Sequence, residues 1–188
     1  MKSPWKGLGE LIPADPGPWL ASLSSLGLGW GEALESRVHE LACRADGAVL
    51  CRLDTGWIWA GPPNPRPQLS EFWTLLNWTL PEPLRRVYAL HDGIGPASGP
   101  RAIHWRDAVW CADRLEPLQA RVRFGATSTF MAENILLFSP DGRGGGWCLA
   151  RQDEGDLQPK VLHFDGTHHT LRPGPELTGV LRSLASSW

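Results

Sequence analysis

Three histidines lie late in the chain, His163, His168 and His169, and Cys148 stands a short way upstream. Imidazole and thiolate are the ligands that zinc prefers, so this group is the first candidate for chemistry. Its spacing argues against a metal centre. Adjacent strand residues point to opposite faces, so His168 and His169 do not both face one ion. His163 approaches one of them across a hairpin, and a two-His site lacks the third protein ligand of catalytic zinc. The expectation is ordinary strand histidines, no metal and no cofactor. Arg143-Gly144-Gly145-Gly146 is glycine-rich enough to cradle a phosphate, but a P-loop continues with Gly-Lys-Ser/Thr into a helix. Here Trp147 opens a strand, and a flexible hairpin connection is expected instead.

Nucleophilic catalysis needs Ser or Cys, a base and an oxyanion hole. The chain has no Gly-x-Ser-x-Gly elbow. Glu82, Asp92, Asp141 and Asp165 stand at expected helix ends and turns, where carboxylates cap, complement the helix dipole or form Asx-turns. Cys43, Cys51, Cys111 and Cys148 share no Cys-x-x-Cys spacing. They are expected to be reduced, mostly buried thiols. Gly27-Leu28-Gly29-Trp30-Gly31 has part of a dinucleotide fingerprint, but no strand precedes it. It is expected to be the entry to a helix. No catalytic residue emerges.

The elements that would position these groups follow from periodicity. Leu20, Leu23 and Leu26 suit one or two helical turns. The stripe Leu34, Val38, Leu41 and Ala42 predicts a helix from about Glu32 to Arg44, ended by Asp46-Gly47. Ala48 to Leu53 and Trp57 to Ala60 read as a hairpin through Asp54-Thr55-Gly56. Ser70 caps an expected helix from Glu71 to Trp78. Leu80 to Gly95 carries the clearest helix signal. Pro81 and Pro83 suit a first turn, Leu84, Val87, Tyr88 and His91 share one face, and Gly93 marks the exit. Ala102 to Trp105 and Leu118 to Phe124 are short strand candidates, and Asp107 to Leu115 fits neither period. Ile135 to Phe138 reads as a central strand covered on both faces. Trp147 to Arg151 and Lys160 to Phe164 follow, and Asp165-Gly166 turns into a return strand from Thr167 to Leu171. Leu177, Val180, Leu181 and Leu184 form the apolar face of a last helix.

The chain has 188 residues, 42% apolar and 20% charged, with a net charge of −2. That length suits one domain, in which residues 1–67 supply an additional helix and hairpin. A nucleic-acid partner is not expected, because Lys and Arg do not dominate. The most basic stretch, Arg101 to Arg123, reads as a solvated face, with an acidic partner as the alternative. No apolar run long enough for a signal peptide or a membrane span is seen, so a cytoplasmic protein without membrane contact is expected. There are eleven Trp and a single Tyr. That is more indole than one small core usually needs, so part of it is expected at a partner-covered surface.

The order of motifs resembles that of the SUKH superfamily, domains related to a fungal cell-wall assembly regulator. Leu80-Pro81, then an amphipathic helix ending in Asp92-Gly93, is similar to its Leu-Pro…Asn-Gly segment. Ile103-His104-Trp105 would be the following strand. Ile135 to Phe138, Asp141-Gly142, Trp147-Cys148-Leu149, the loop Gln152 to Pro159, Val161 to Asp165 and Leu177 to Leu184 continue the pattern. The resemblance spans about residues 70 to 187. Asp92 stands where Asn is commoner, and residues 1–67 exceed the usual lead-in.

The resemblance implies an α+β fold with a central, largely antiparallel sheet and helices packed on it. It implies no catalytic residues. It implies an immunity protein that binds a cognate toxin in the cytoplasm and neutralises it. The alternatives are a regulatory scaffold in cell-envelope or stress signalling, or a small-molecule or hydrolytic domain built on the His-bearing hairpin. Protein interfaces centre on a few Trp, Tyr or Arg residues. Trp105, Arg106, Trp110, Arg143 and Trp147, in or near loops flanking the sheet, are therefore the expected partner-binding residues. The oligomeric state is left open.

Overall fold

The computed structural model describes residues 9–67, 79–97, 108–112, 116–117, 135–151 and 159–188. The fold is α+β, with antiparallel strands and helices packed against them. The N-terminal sheet has the order β1 (Ile12–Pro13), β2 (Val38–Cys43), β3 (Val49–Leu53), β4 (Trp57–Ala60) and β5 (Ile94–Ala97). The C-terminal sheet runs β6 (Glu116–Pro117), β7 (Ile135–Pro140), β8 (Gly146–Ala150), β9 (Lys160–Asp165) and β10 (Thr170–Pro173). Each sheet is a meander in which neighbours in sequence pair.

Residues 108–112 join the two sheets. Val109 exchanges both backbone hydrogen bonds with Ile94, at 2.7 and 2.9 Å. The next amide, Trp110 N–H, donates to Phe138 O at 2.9 Å. The register of β7 on β8 shifts between Leu137 and Ser139. An irregularity of that kind re-aims backbone groups, and the Phe138 carbonyl meets the joining segment. The two sheets are thus stitched edge to edge.

Four helices are described: α1 (Pro16–Ser24), α2 (Trp30–Glu35), α3 (Glu82–Leu90) and α4 (Leu177–Ser187). Asp15 caps α1, its carboxylate accepting from Gly17 N–H at 3.0 Å. Trp19 and Leu23 of α1, Trp30 and Leu34 of α2, Leu84, Val87 and Tyr88 of α3, and Val180, Leu181 and Leu184 of α4 are all buried. They belong to one apolar cluster with the inward side chains of both sheets. Residues between Trp19 and Ala60 therefore share one core with α3 and α4. Ile135 to Phe138 is buried throughout, as expected of a central strand. A smaller cluster of Ala48, Leu50 and Trp59 lies on the other side of β3 and β4.

Gly93, after α3, has φ +84°, and a Cβ there would lie 2.9 Å from Cys111 N. Both the left-handed backbone and the close approach of the joining segment require glycine.

Three sequence expectations are corrected. The helix from Glu32 to Arg44 ends at Glu35, and Val38–Cys43 is β2. The stripe at Leu34, Val38 and Leu41 fits a helix, but pairing of Leu41 with Cys51 and of Cys43 with Val49 on β3 wins. Asp46-Gly47 consequently turns a hairpin, with Arg44 N–H donating to Ala48 O at 2.8 Å. The return strand of the last hairpin starts at Thr170, because residues 166–169 form its connection. His168 and His169 are therefore turn residues. The expected helix Glu71–Trp78 and the strands Ala102–Trp105 and Leu118–Phe124 lie outside the described residues.

Candidate functional site

The end of the C-terminal sheet where β7 turns into β8 and β9 into β10 collects most of the polar groups singled out by the sequence. Asp141 organises the first turn. Its Oδ1 accepts from Arg143 N–H at 2.7 Å and Gly145 N–H at 3.1 Å. Asp141 N–H returns a bond to Gly145 O at 3.0 Å. Asp165 organises the second, its Oδ1 accepting from Thr167 N–H at 2.9 Å and His168 N–H at 3.1 Å. The Asp165 Oδ2 lies 2.9 Å from His168 Nδ1. That side-chain bond, ahead of the two backbone ones, holds the Asp165 carboxyl well below the usual carboxylate range.

The two turns interlock. A Cβ on Gly145 would lie 2.2 Å from Phe164 O, and one on Gly166 would lie 2.4 Å from Gly144 C. The Arg143–Gly146 connection is thus a packed turn whose Arg143 and Gly145 amides serve Asp141 and whose backbone lies close against the neighbouring hairpin.

Trp147 stands on β8 directly opposite His163 on β9, which stands opposite Arg172 on β10. Directly paired residues share a face, so the three side chains form one row. Trp147 and His163 meet edge to face with ring centroids 4.8 Å apart. His163 Nε2 is 4.0 Å from Asp141 Oδ2. Trp147 is half-buried, and Arg143 and Arg172 are exposed. This corner presents cationic and aromatic groups, the types that anchor protein interfaces.

Of the expected partner-binding residues, Arg143 and Trp147 lie at this corner. Trp110 is buried at 7% exposure in the segment that joins the sheets. Trp105 and Arg106 lie outside the described residues. His163, weighed from sequence only as a metal ligand, and Arg172 join the corner as additions. Their signal was the Asp165-Gly166 turn, but the longer connection moves the register that sets Arg172 opposite His163.

The acidic residues hold structural positions. Glu82 accepts from Arg85 Nε at 2.6 Å. Asp92 accepts from Ala112 N–H at 2.8 Å through one oxygen and from Asn64 Nδ2 at 3.3 Å through the other. The Cys51 and Cys148 thiols are buried, and burial pushes each up to about 12. Neither is poised as a thiolate nucleophile. Among the described residues no three His, Cys, Asp or Glu side chains gather as a metal site. No helix among them is long and apolar enough to cross a membrane. Comparison of the chain with family models, with curated proteins and with solved structures finds no match.

Proposed function

We propose that this chain is an immunity protein that binds a cognate bacterial toxin in the cytoplasm and neutralises it by protein–protein contact. The motif order from Leu80-Pro81 through Asp92-Gly93 to the last helix motivates the reading. The observation that carries it is the corner where half-buried Trp147, His163 and exposed Arg172 form one row across β8, β9 and β10, at the end of the sheet where exposed Arg143 stands in the first of two interlocked turns. A rigid aromatic residue on the same sheet end as exposed arginines gives a partner contact area at low entropic cost. The Oδ1 atoms of Asp141 and Asp165 accept backbone amides within their own turns, so these carboxylates serve the turns that carry the corner.

A pull-down from the source organism's lysate tests the proposal, with this protein as bait and mass spectrometry to identify what is retained. The expected result is one partner near one-to-one that is lethal when expressed alone and harmless when co-expressed with this protein. Retention of several non-toxic envelope or signalling proteins would overturn the toxin reading in favour of a scaffold.

A further inference from the structure

His91 is one of two buried polar residues in the described core, at 3% exposure. Both of its ring nitrogens are occupied. Nε2 lies 2.9 Å from the Trp19 indole Nε1 of α1. Nδ1 lies 2.7 Å from Gly61 O, in the loop that follows β4. An indole N–H only donates and a carbonyl only accepts. The ring is therefore the neutral tautomer with its proton on Nδ1, and Nε2 is the acceptor. A second proton would place N–H against N–H at the Trp19 contact and leave a buried charge.

We propose that His91 is a proton-sensitive latch that holds α1 on the end of α3 at neutral pH and releases it in acid. Among the described residues no carboxylate is hydrogen-bonded or ion-paired with His91, whose ring partners are Trp19 and Gly61. α1 has no charged side chain from Pro16 to Ser24, and the loop Gly61-Pro62-Pro63-Asn64 has none. The nearest titratable neighbours in the chain are Tyr88 and Asp92. Asp92 is committed to Ala112 N–H and Asn64. Tyr88 is fully buried, on the side of Asp92 and Cys111. Burial lowers the affinity of His91 for a proton, and the bond to Gly61 O only partly offsets it. Folded His91 thus binds its proton more weakly than an unfolded or undocked one, whose value is about 6.5. The docked state is at full strength above that pH. It weakens as pH falls below about 6.5, by up to about tenfold per pH unit until the docked ring itself titrates.

The test is an NMR titration of the full chain from pH 7.5 to 4.5. It follows the Trp19 indole N–H, assigned by its loss in Trp19→Phe, and amide exchange across α1. The expected result is loss of the Trp19 signal and faster exchange in α1 in acid, before β3 and β7 open. In His91→Gln the side-chain amide can donate to Gly61 O and accept from Trp19 without titrating. The acid-induced opening of α1 should then disappear. An unchanged acid response in His91→Gln would overturn the latch. Should that variant not fold, the wild-type ring resonances decide: a His91 that titrates while Trp19 stays docked also overturns it.

Discussion

The Trp30 indole stands edge-on to Trp188 with ring centroids 5.0 Å apart, and it joins α2 to the end of α4. Trp30 Nε1 also donates to Leu181 O at 2.7 Å. Two segments more than 150 residues apart in the chain are thereby locked by one side chain that is 1% exposed. Trp30→Ala should cost about 3–5 kcal/mol, and Trp30→Phe about 1–3 kcal/mol by removing the bond to the Leu181 carbonyl and underfilling the site. Urea unfolding monitored by circular dichroism checks both. Equal losses for the two variants would show that the ring packing retained by phenylalanine adds nothing and that the loss lies in the indole N–H; no loss in Trp30→Phe would show that the N–H adds nothing.

Gly93→Ala should destabilise more than Gly27→Ala. Both residues have positive φ, +84° and +69°. A Cβ at Gly27 meets nothing within 4 Å, whereas one at Gly93 presses on the backbone of Cys111. Gly27→Ala carries only the backbone term, about 1 kcal/mol. Gly93→Ala adds displacement of the segment that joins the sheets, for a total of about 2–4 kcal/mol. Thermal unfolding of the two variants side by side distinguishes them. Equal shifts would mean that the 108–112 segment yields freely.

Stability should fall in alkali above about pH 9. Burial lifts the Cys51 and Cys148 thiols from 9.0 to about 12, so both are protonated when folded and ionise first when unfolded. Their contribution is complete below pH 9 and is lost between pH 9 and about 12, at up to about 1.4 kcal/mol per pH unit for each thiol. Buried Tyr88, also raised, adds to the slope above pH 10. Replacing both cysteines by alanine should flatten the urea-measured slope between pH 9 and 10. A slope unchanged by the double substitution would assign the alkaline loss elsewhere.

Binding of the partner retained in the pull-down should weaken at least tenfold in Arg143→Ala and in Trp147→Ala. Arg143 is exposed, so its removal leaves the fold intact. Trp110→Ala should act differently. It empties a buried position between the sheets and costs about 3–5 kcal/mol of stability. Calorimetric titration of folded variants separates the two effects. Affinities within a few-fold of wild type for both Arg143→Ala and Trp147→Ala would remove this corner from the interface.

The α+β class, α3 with its proline start and glycine exit, the covered strand Ile135–Phe138 and the apolar face of α4 were all legible in the residues. Each is specified locally. Proline fixes φ, glycine frees it, and a continuous or periodic apolar pattern states how an element is buried. The Asp141 and Asp165 turns were legible for the same reason, since an Asx-turn is made between neighbours. Residues 38–43 were not legible. Their apolar spacing suits a helix, and only the partner strand β3 makes them β2. Nor could local pattern reveal that Val109 and Trp110 stitch two sheets, that Trp147, His163 and Arg172 form one row, or that His91 joins Trp19 to Gly61. Those contacts link residues 15 to 72 positions apart or lie across a register set by turn length. They exist only once long-range pairing has chosen which edges and faces meet, a choice constrained by the cost of burying unpaired backbone groups.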